Sequence, residues 1–189
     1  MGRTEKQATL AGRAKGLAAV VVLGVIAARA EVAQSEPRRK ILVSIPDRKL
    51  ALIEDGKAVK VYPVAVGASA TPSPTGQFSV VARLVKPTYY HAGRVVTPGP
   101  RNPLGTRWMG LSLKGFGIHG TNAPGSIGTA ASHGCIRMAK ADLEELFELV
   151  RVGDVVEIRG EADSETATIF NSATVAQVHF VTGTAGVGR

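Results

Sequence analysis

Residues 119–138 read HGTNAPGSIGTAASHGCIRM and contain the only cysteine of the chain, Cys135. His133 stands two residues before this cysteine, and His119 stands sixteen before it. An imidazole within hydrogen-bond reach can take the proton of a thiol and later return it to a leaving amine. Gly134 allows the backbone a sharp turn, so that the amide N–H groups of Gly134 and Cys135 can point at a developing oxyanion. These residues predict acyl transfer through a thioester on Cys135.

Two other interpretations of these side chains remain open from the sequence. Histidine and cysteine bind zinc, but the spacing H-x13-H-x-C from His119 to Cys135 matches no zinc pattern, and no acidic residue lies nearby. A free cysteine is also often an unreactive buried hydrophobe. The glycines around His119 and Cys135 favour a nucleophile, and we expect no metal and no cofactor. His91 and His179 stand alone and are expected to be non-catalytic.

The chain begins with the order of segments found in secretory signal peptides. Residues 1–16 carry four basic side chains against one acidic, residues 17–28 are apolar, and Ala28-Arg29-Ala30 is a small-x-small cleavage site. Twelve apolar residues fall short of the roughly 20 that cross a bilayer. We expect residues 1–30 to be a signal peptide, with an uncleaved N-terminal membrane anchor as the alternative, and residues 31–39 to be a linker. Both alternatives place the remainder outside the cytoplasm, in the periplasm or cell envelope.

The charge of the chain is unevenly distributed. The formal net charge is +8, yet residues 56–141 contain no aspartate or glutamate and carry ten lysines and arginines. A surface of one sign attracts ligands of the other. The expected export, the small number of aromatic residues and the absence of a nucleic-acid-binding motif argue against nucleic acid as a partner. We therefore expect a carboxylate-bearing extracellular substrate.

The pattern of apolar residues predicts a mainly β domain over residues 40–160. Short β-branched runs separated by turn residues predict strands, over residues 41–45, 49–54, 59–66, 77–85, 108–113, 116–119 and 154–159. Residues 86–107 lack periodicity and are expected to form a long surface loop. Apolar residues at i, i+3, i+4 and i+7 predict one helix over residues 140–150. Residues 161–189 form a C-terminal tail of unassigned role, in which residues 175–181 resemble a strand.

The segment IHGT…SHGCIRM resembles the active-site motif of the L,D-transpeptidase (YkuD-type) catalytic domain family. The resemblance extends from about Lys40 to Gly160 and includes the segment GPRNPLG at residues 99–105. It implies a β-sandwich-like domain with one packed helix. It also implies Cys135 as the nucleophile and His119 as the base.

The resemblance implies supporting roles for the neighbours of the nucleophile. Ser132 and His133 would shape the pocket. Arg137 stands where some members of the family have asparagine. It is expected to bind a carboxylate of the substrate, because a guanidinium can hold a carboxylate with two hydrogen bonds.

The reaction that the resemblance implies takes place on peptidoglycan stem peptides. Cys135 would attack the diaminopimelate carbonyl of a tetrapeptide stem, D-Ala would leave, and an amine would resolve the thioester. With water as the acceptor, the enzyme would be an L,D-carboxypeptidase. The non-enzymatic alternative is a cell-wall-binding module that has kept the fold, although the presence of both His119 and Cys135 favours an enzyme.

The group that orients His119 is expected to be something other than a carboxylate side chain. A base of this kind needs a third group to fix its tautomer, and aspartate often serves. The stretch without carboxylates includes both candidate histidines. We therefore expect a backbone carbonyl, that of Gly120, to accept a hydrogen bond from His119.

Overall fold

The computed structural model describes residues 38–171. The predicted signal peptide, most of the linker and the predicted strand at 175–181 lie outside these residues. The elements follow one another as β1 Arg39–Ser44, β2 Lys49–Glu54, β3 Lys57–Gly67, β4 Gly76–Val85, β5 Tyr89–His91, β6 Arg94–Val96, β7 Arg107–Leu111, β8 Gly117–His119, a 3₁₀ turn at Pro124–Ser126, β9 Ala130–Ser132, β10 Ile136–Met138, α1 Lys140–Leu149 and β11 Val155–Arg159. Residues 164–171 are helical and are named α2.

The strands of the described residues form one large sheet and one small hairpin. The large sheet has nine strands in the order β10-β8-β7-β4-β11-β1-β2-β3-β9, and β10 also pairs with β3. This extra pairing closes the sheet on itself around the core. The predicted mainly β fold with one helix over residues 140–150 is confirmed, with α1 at Lys140–Leu149.

The core lies inside the closed sheet, and α1 covers part of it. β1 and β2 contribute alternate residues such as Ile41 and Leu50, and β8 and β10 contribute Ile118 and Ile136. α1 adds its apolar face with Leu143, Leu146 and Phe147. Burial of each such side chain stabilises the fold by about 1.5–3 kcal/mol.

Residues 86–107 are not the irregular surface loop that the sequence predicts, because they contain the hairpin β5–β6. The hairpin turns at Ala92 and Gly93, which both have positive φ, at 45° and 76°. Two central residues with positive φ match the right-handed twist of a two-residue hairpin. Each strand has only three residues, too few to produce a recognisable alternation of apolar and polar positions.

The packing of the domain continues past Gly160. Phe170 of α2 is buried against Leu42, Ala51 and Ile53. These three residues lie on the side of β1 and β2 that faces away from the main core. Among residues 38–171, no helix is long and apolar enough to span a membrane.

Candidate active site

Neighbouring strands bring His119 and Arg137 side by side. β8 and β10 are parallel, and their register pairs His119 with Arg137 and Ile118 with Ile136. Directly paired residues point to the same side of a sheet, and successive residues alternate between sides. The two isoleucines are buried in the core, so His119 and Arg137 share the opposite face.

Cys135 lies in a tight turn that Ser132 holds together. The Ser132 hydroxyl donates to the Cys135 carbonyl oxygen at 2.5 Å and accepts the Gly134 N–H at 3.0 Å. Gly134 has φ +105°, and a Cβ there would lie 2.7 Å from the ring of Phe116. Only glycine fits both the backbone conformation and the space.

The bond between Gly134 and Ser132 corrects one expectation from the sequence. The Gly134 N–H was expected to face a developing oxyanion, but it is already donated to the Ser132 hydroxyl inside the turn. Gly134 therefore acts through the shape of the turn. Ser132 is buried, whereas His133 is exposed on the outer side of the same turn.

The thiol of Cys135 is neutral in the resting site. Its Sγ lies 3.7 Å from the Gly115 carbonyl oxygen. Burial raises the pKa of the Cys135 thiol, while a backbone hydrogen bond from Gly117 and the charge of Arg137 lower it by less. Thiolate formation therefore needs a base.

His119 is buried and neutral, with its tautomer fixed by Gly120. Its Nδ1 donates to the Gly120 carbonyl oxygen at 2.7 Å, as expected from the sequence. Burial lowers the pKa of His119 to about 4, opposed by this hydrogen bond and assisted by the charge of Arg137. Since Nδ1 carries the proton, Nε2 is left with a free lone pair that can accept one.

Several carboxylates that could have oriented His119 are engaged elsewhere. Asp47 accepts from the Ser44 hydroxyl, Glu54 pairs with Arg39, and Asp55 accepts the Arg38 N–H. On α1, Glu144 pairs with Arg107 and Glu145 with Lys60. Within residues 38–171, no carboxylate pairs with His119.

Trp108 is a part of the site that the sequence analysis missed. Its ring stacks on His119, with the ring centroids 5.4 Å apart and the planes at 25°. A Cβ on Gly117 would lie 2.6 Å from this ring, and one on Gly110 would lie 3.0 Å from its Nε1. The sequence feature that could have identified Trp108 is its place as the chain's only tryptophan. It stands in a predicted strand that is followed by a glycine-rich strand.

Comparison with known proteins assigns the chain to a family. The profile of the L,D-transpeptidase catalytic domain, YkuD, matches residues 38–158. The chain belongs to this family. It is 43% identical over 119 residues to the YkuD protein of Bacillus licheniformis, and the match covers 63% of this chain and 64% of that protein.

Solved L,D-transpeptidases share the fold. One from Mycobacterium tuberculosis superposes with a TM-score of 0.56 at 21% identity, covering 65% of this chain and 58% of that one. The Enterococcus faecium L,D-transpeptidase, solved as a cysteine-to-serine mutant, superposes with a TM-score of 0.55 at 25% identity, covering 65% and 50%. The chain therefore carries an L,D-transpeptidase catalytic domain.

A cleft adjoins the candidate site of this L,D-transpeptidase domain at Gly120. It has a volume of about 640 Å³, and Lys86, Lys140 and Gly120 are among the residues that line it. Within residues 38–171, neither lysine has an ion-pair partner. The lining of the cleft therefore includes two lysines without an ion-pair partner, together with Gly120, the residue that holds His119.

The remaining sequence-predicted residues lie apart from the transpeptidase site or outside the described residues. His91 is exposed on β5, where its ring stacks on Tyr89. His179 lies outside the described residues. Residues 38–171 contain no group of three or more His, Cys, Asp and Glu side chains placed to hold a metal ion.

Proposed function

We propose that this chain is an exported peptidoglycan L,D-transpeptidase. The observation that carries the proposal is the backbone hydrogen bond that fixes the tautomer of His119. His119 Nδ1 donates a hydrogen bond to the Gly120 carbonyl oxygen at 2.7 Å. His119 lies in a strand beside the turn that carries the single thiol. Export is supported by the order of segments in residues 1–30.

The proposed reaction begins with proton transfer from the Cys135 thiol to His119 Nε2. The sulfur then bonds to the diaminopimelate carbonyl carbon of a donor tetrapeptide, and the carbonyl oxygen takes the electron pair. Collapse of this intermediate breaks the bond to D-Ala, whose nitrogen receives the proton from His119. Thioester and free D-Ala are the products of this half-reaction.

The second half-reaction uses the same base. An acceptor amine attacks the thioester carbonyl and gives its proton to His119. The carbon–sulfur bond breaks, and His119 returns the proton to the sulfur. The hydrogen bond from Gly117 to the sulfur stabilises the thiolate each time it forms.

The basic groups around the site suit a substrate with several carboxylates. Arg137 is half-buried beside His119, and no ion-pair partner for it is found among residues 38–171. We propose that it holds a stem-peptide carboxylate with two hydrogen bonds. Lys86 and Lys140 in the adjoining cleft add positive charge.

Mass spectrometry of muropeptides tests the proposal directly. Purified protein is incubated with tetrapeptide muropeptides, and the parent is expected to release D-Ala and to form cross-linked dimers. Cys135→Ala should form neither product. It should also take up no carbapenem, whereas the parent gains the mass of one.

A matched control and the alternative outcomes complete the experiment. His91→Gln changes an exposed histidine on the hairpin and should behave as the parent. Tripeptides without dimers would identify an L,D-carboxypeptidase. Binding without any product would identify a wall-binding module, and activity in Cys135→Ala would overturn the nucleophile.

A further inference from the structure

Asn102 is a buried polar residue in the segment between the hairpin and β7. It is 1% exposed. Its Nδ2 donates to the Pro87 carbonyl at 2.8 Å and, over longer distances of 3.1 and 3.3 Å, to those of Val96 and Thr97. A side-chain amide has only two N–H bonds, so two of these acceptors share one hydrogen. The side chain of Asn102 thus forms hydrogen bonds at both ends of the β5–β6 hairpin and holds the two ends together.

The carbonyl oxygen of the same side-chain amide begins a series of hydrogen bonds that ends at His119. Asn102 Oδ1 accepts the Leu104 N–H at 2.8 Å. The Leu104 carbonyl accepts the Gly120 N–H at 2.9 Å. The Gly120 carbonyl accepts from His119 Nδ1 at 2.7 Å. Three consecutive hydrogen bonds therefore connect Asn102 to the imidazole.

Close backbone contact reinforces the middle of this connection. A Cβ on Gly105 would lie 2.8 Å from the Gly120 Cα, and Gly105 has φ +67°. A Cβ on Gly120 would lie 3.1 Å from the Leu104 carbonyl oxygen. The segment Leu104–Gly105 therefore fits directly against Gly120, and a shift of one displaces the other.

We propose that Asn102 is a positioning residue that holds Gly120, and through it the tautomer and orientation of His119. This inference rests on the proposed function, because it assigns His119 the role of base. Asn102 touches neither the thiol nor the imidazole. Its effect comes from fixing Leu104, whose carbonyl holds Gly120 in place. A displacement of about 1 Å by a distant change can lower a rate about 100-fold.

The test compares the parent with Asn102→Ala by nitrogen-15 NMR of the histidine ring and by carbapenem acylation. The parent should show His119 as the Nδ1–H tautomer with a slowly exchanging ring proton. In Asn102→Ala, that proton should exchange at least tenfold faster, and acylation should slow by about 10- to 100-fold. The NMR measurement requires no catalysis. It therefore decides this inference even where the proposed function fails.

Asn122→Ala is the matched control. Asn122 is exposed and donates from the same kind of amide to the Arg101 carbonyl at 3.2 Å, outside the connection to His119. Its variant should keep the parent's ring-proton exchange and acylation rate. A folded Asn102→Ala protein with the parent's tautomer, ring-proton exchange and rate would overturn the proposal.

Two further measurements cover the case in which Asn102→Ala does not fold. Gly105→Ala leaves Asn102 intact and pushes on Gly120, so it should produce the same change at His119. In the parent, the Leu104 and Gly120 amides should exchange with solvent as slowly as those of β7 and β8. Fast exchange of these two amides, or an unchanged His119 in folded Gly105→Ala, would contradict the inference.

Discussion

At the scale of single residues, the site pairs a neutral imidazole with a neutral thiol. Burial is the largest influence on both groups, since it raises the pKa of Cys135 and lowers that of His119. Low polarity disfavours the charged form of each group. Burial therefore disfavours a preformed thiolate–imidazolium pair.

The burial of His119 makes the stability of the fold depend on pH. The pKa of His119 is about 4 in the folded protein against an ordinary 6.5, so the unfolded state binds the proton first as the pH falls. The contribution of neutral His119 to the free energy of unfolding is complete above pH 6.5 and is lost as the pH falls from 6.5 to 4. Between pH 7 and 4.5, the parent should lose about 2 kcal/mol of unfolding free energy that His119→Gln retains. Denaturant unfolding at both pH values measures this difference.

The control for the pH experiment is His91→Gln, because it removes an exposed histidine. It should lose as much stability as the parent. Carboxylates titrate in all three proteins and cancel in the comparison. An equal loss in the parent and in His119→Gln would show that His119 is not held neutral.

At the scale of elements, the turn before β10 fixes the position of Cys135. The Ser132 hydroxyl bonds to two groups of this turn, and Gly134 adopts a φ of +105° that side chains strongly disfavour. The backbone of Cys135 is therefore held directly beside the start of β10. Its sulfur lies close to Gly115 and Gly117 on the incoming side of β8.

Replacement of Gly134 by alanine tests how much the site depends on this turn. The new Cβ would lie 2.7 Å from the Phe116 ring and 3.2 Å from the Pro72 carbonyl oxygen. Backbone strain of this kind costs on the order of 1–3 kcal/mol, and the crowding adds to it. We expect Gly134→Ala to lower the unfolding free energy by about 2 kcal/mol or more and to slow carbapenem acylation at least tenfold.

Gly125→Ala provides the comparison for this turn. Gly125 lies in the 3₁₀ turn between β8 and β9, and a Cβ there would meet nothing within 4 Å. Its effect on stability should stay within about 0.5 kcal/mol, as for other open surface positions. If Gly134→Ala matched Gly125→Ala in stability and in acylation, the turn would not be rigid.

At the scale of the whole molecule, β1 and β2 are buried on both faces. One face lines the main core, and the other is covered by Phe170 of α2. Asp163 directly precedes α2, and its backbone and carboxylate both exchange hydrogen bonds with Thr166. Such reciprocal bonds satisfy the free donors at a helix start. This part of the predicted tail contributes to the stability of the domain.

Phe170→Ala should destabilise the domain without changing its chemistry. Removal of a buried phenylalanine ring typically costs about 3–5 kcal/mol. Phe170 packs on the outer face of β1 and β2, so acylation of Cys135 should stay at the parent's rate wherever the variant is folded. Thermal unfolding and carbapenem acylation measure the two effects.

Thr168→Ala is the matched change on the same helix. Thr168 is exposed, and its hydroxyl bonds only to the Ser164 carbonyl. It should leave stability nearly unchanged. If Phe170→Ala destabilised no more than Thr168→Ala, α2 would not be part of the folded domain.

The sequence by itself determined the features that depend on local chemistry. The β-branched runs and turn residues predicted strands such as β2 and β4, and the spacing of Leu143, Leu146 and Phe147 predicted α1. The absence of carboxylates in residues 56–141 predicted that a backbone carbonyl would hold His119. The strand and helix predictions rest on residues that are close together in the chain, and the hydrogen bond of His119 joins it to the next residue.

Only the tertiary structure decided which distant residues meet. The register of β7, β8 and β10 sets Trp108 and Arg137 on either side of His119. A shift of one residue would have turned them to the opposite face. Asn102 reaches His119 through two intervening residues, and Phe170 finds its place on β1 and β2. Such contacts follow from strand register and close packing, which involve the whole chain at once and leave no pattern in a short segment.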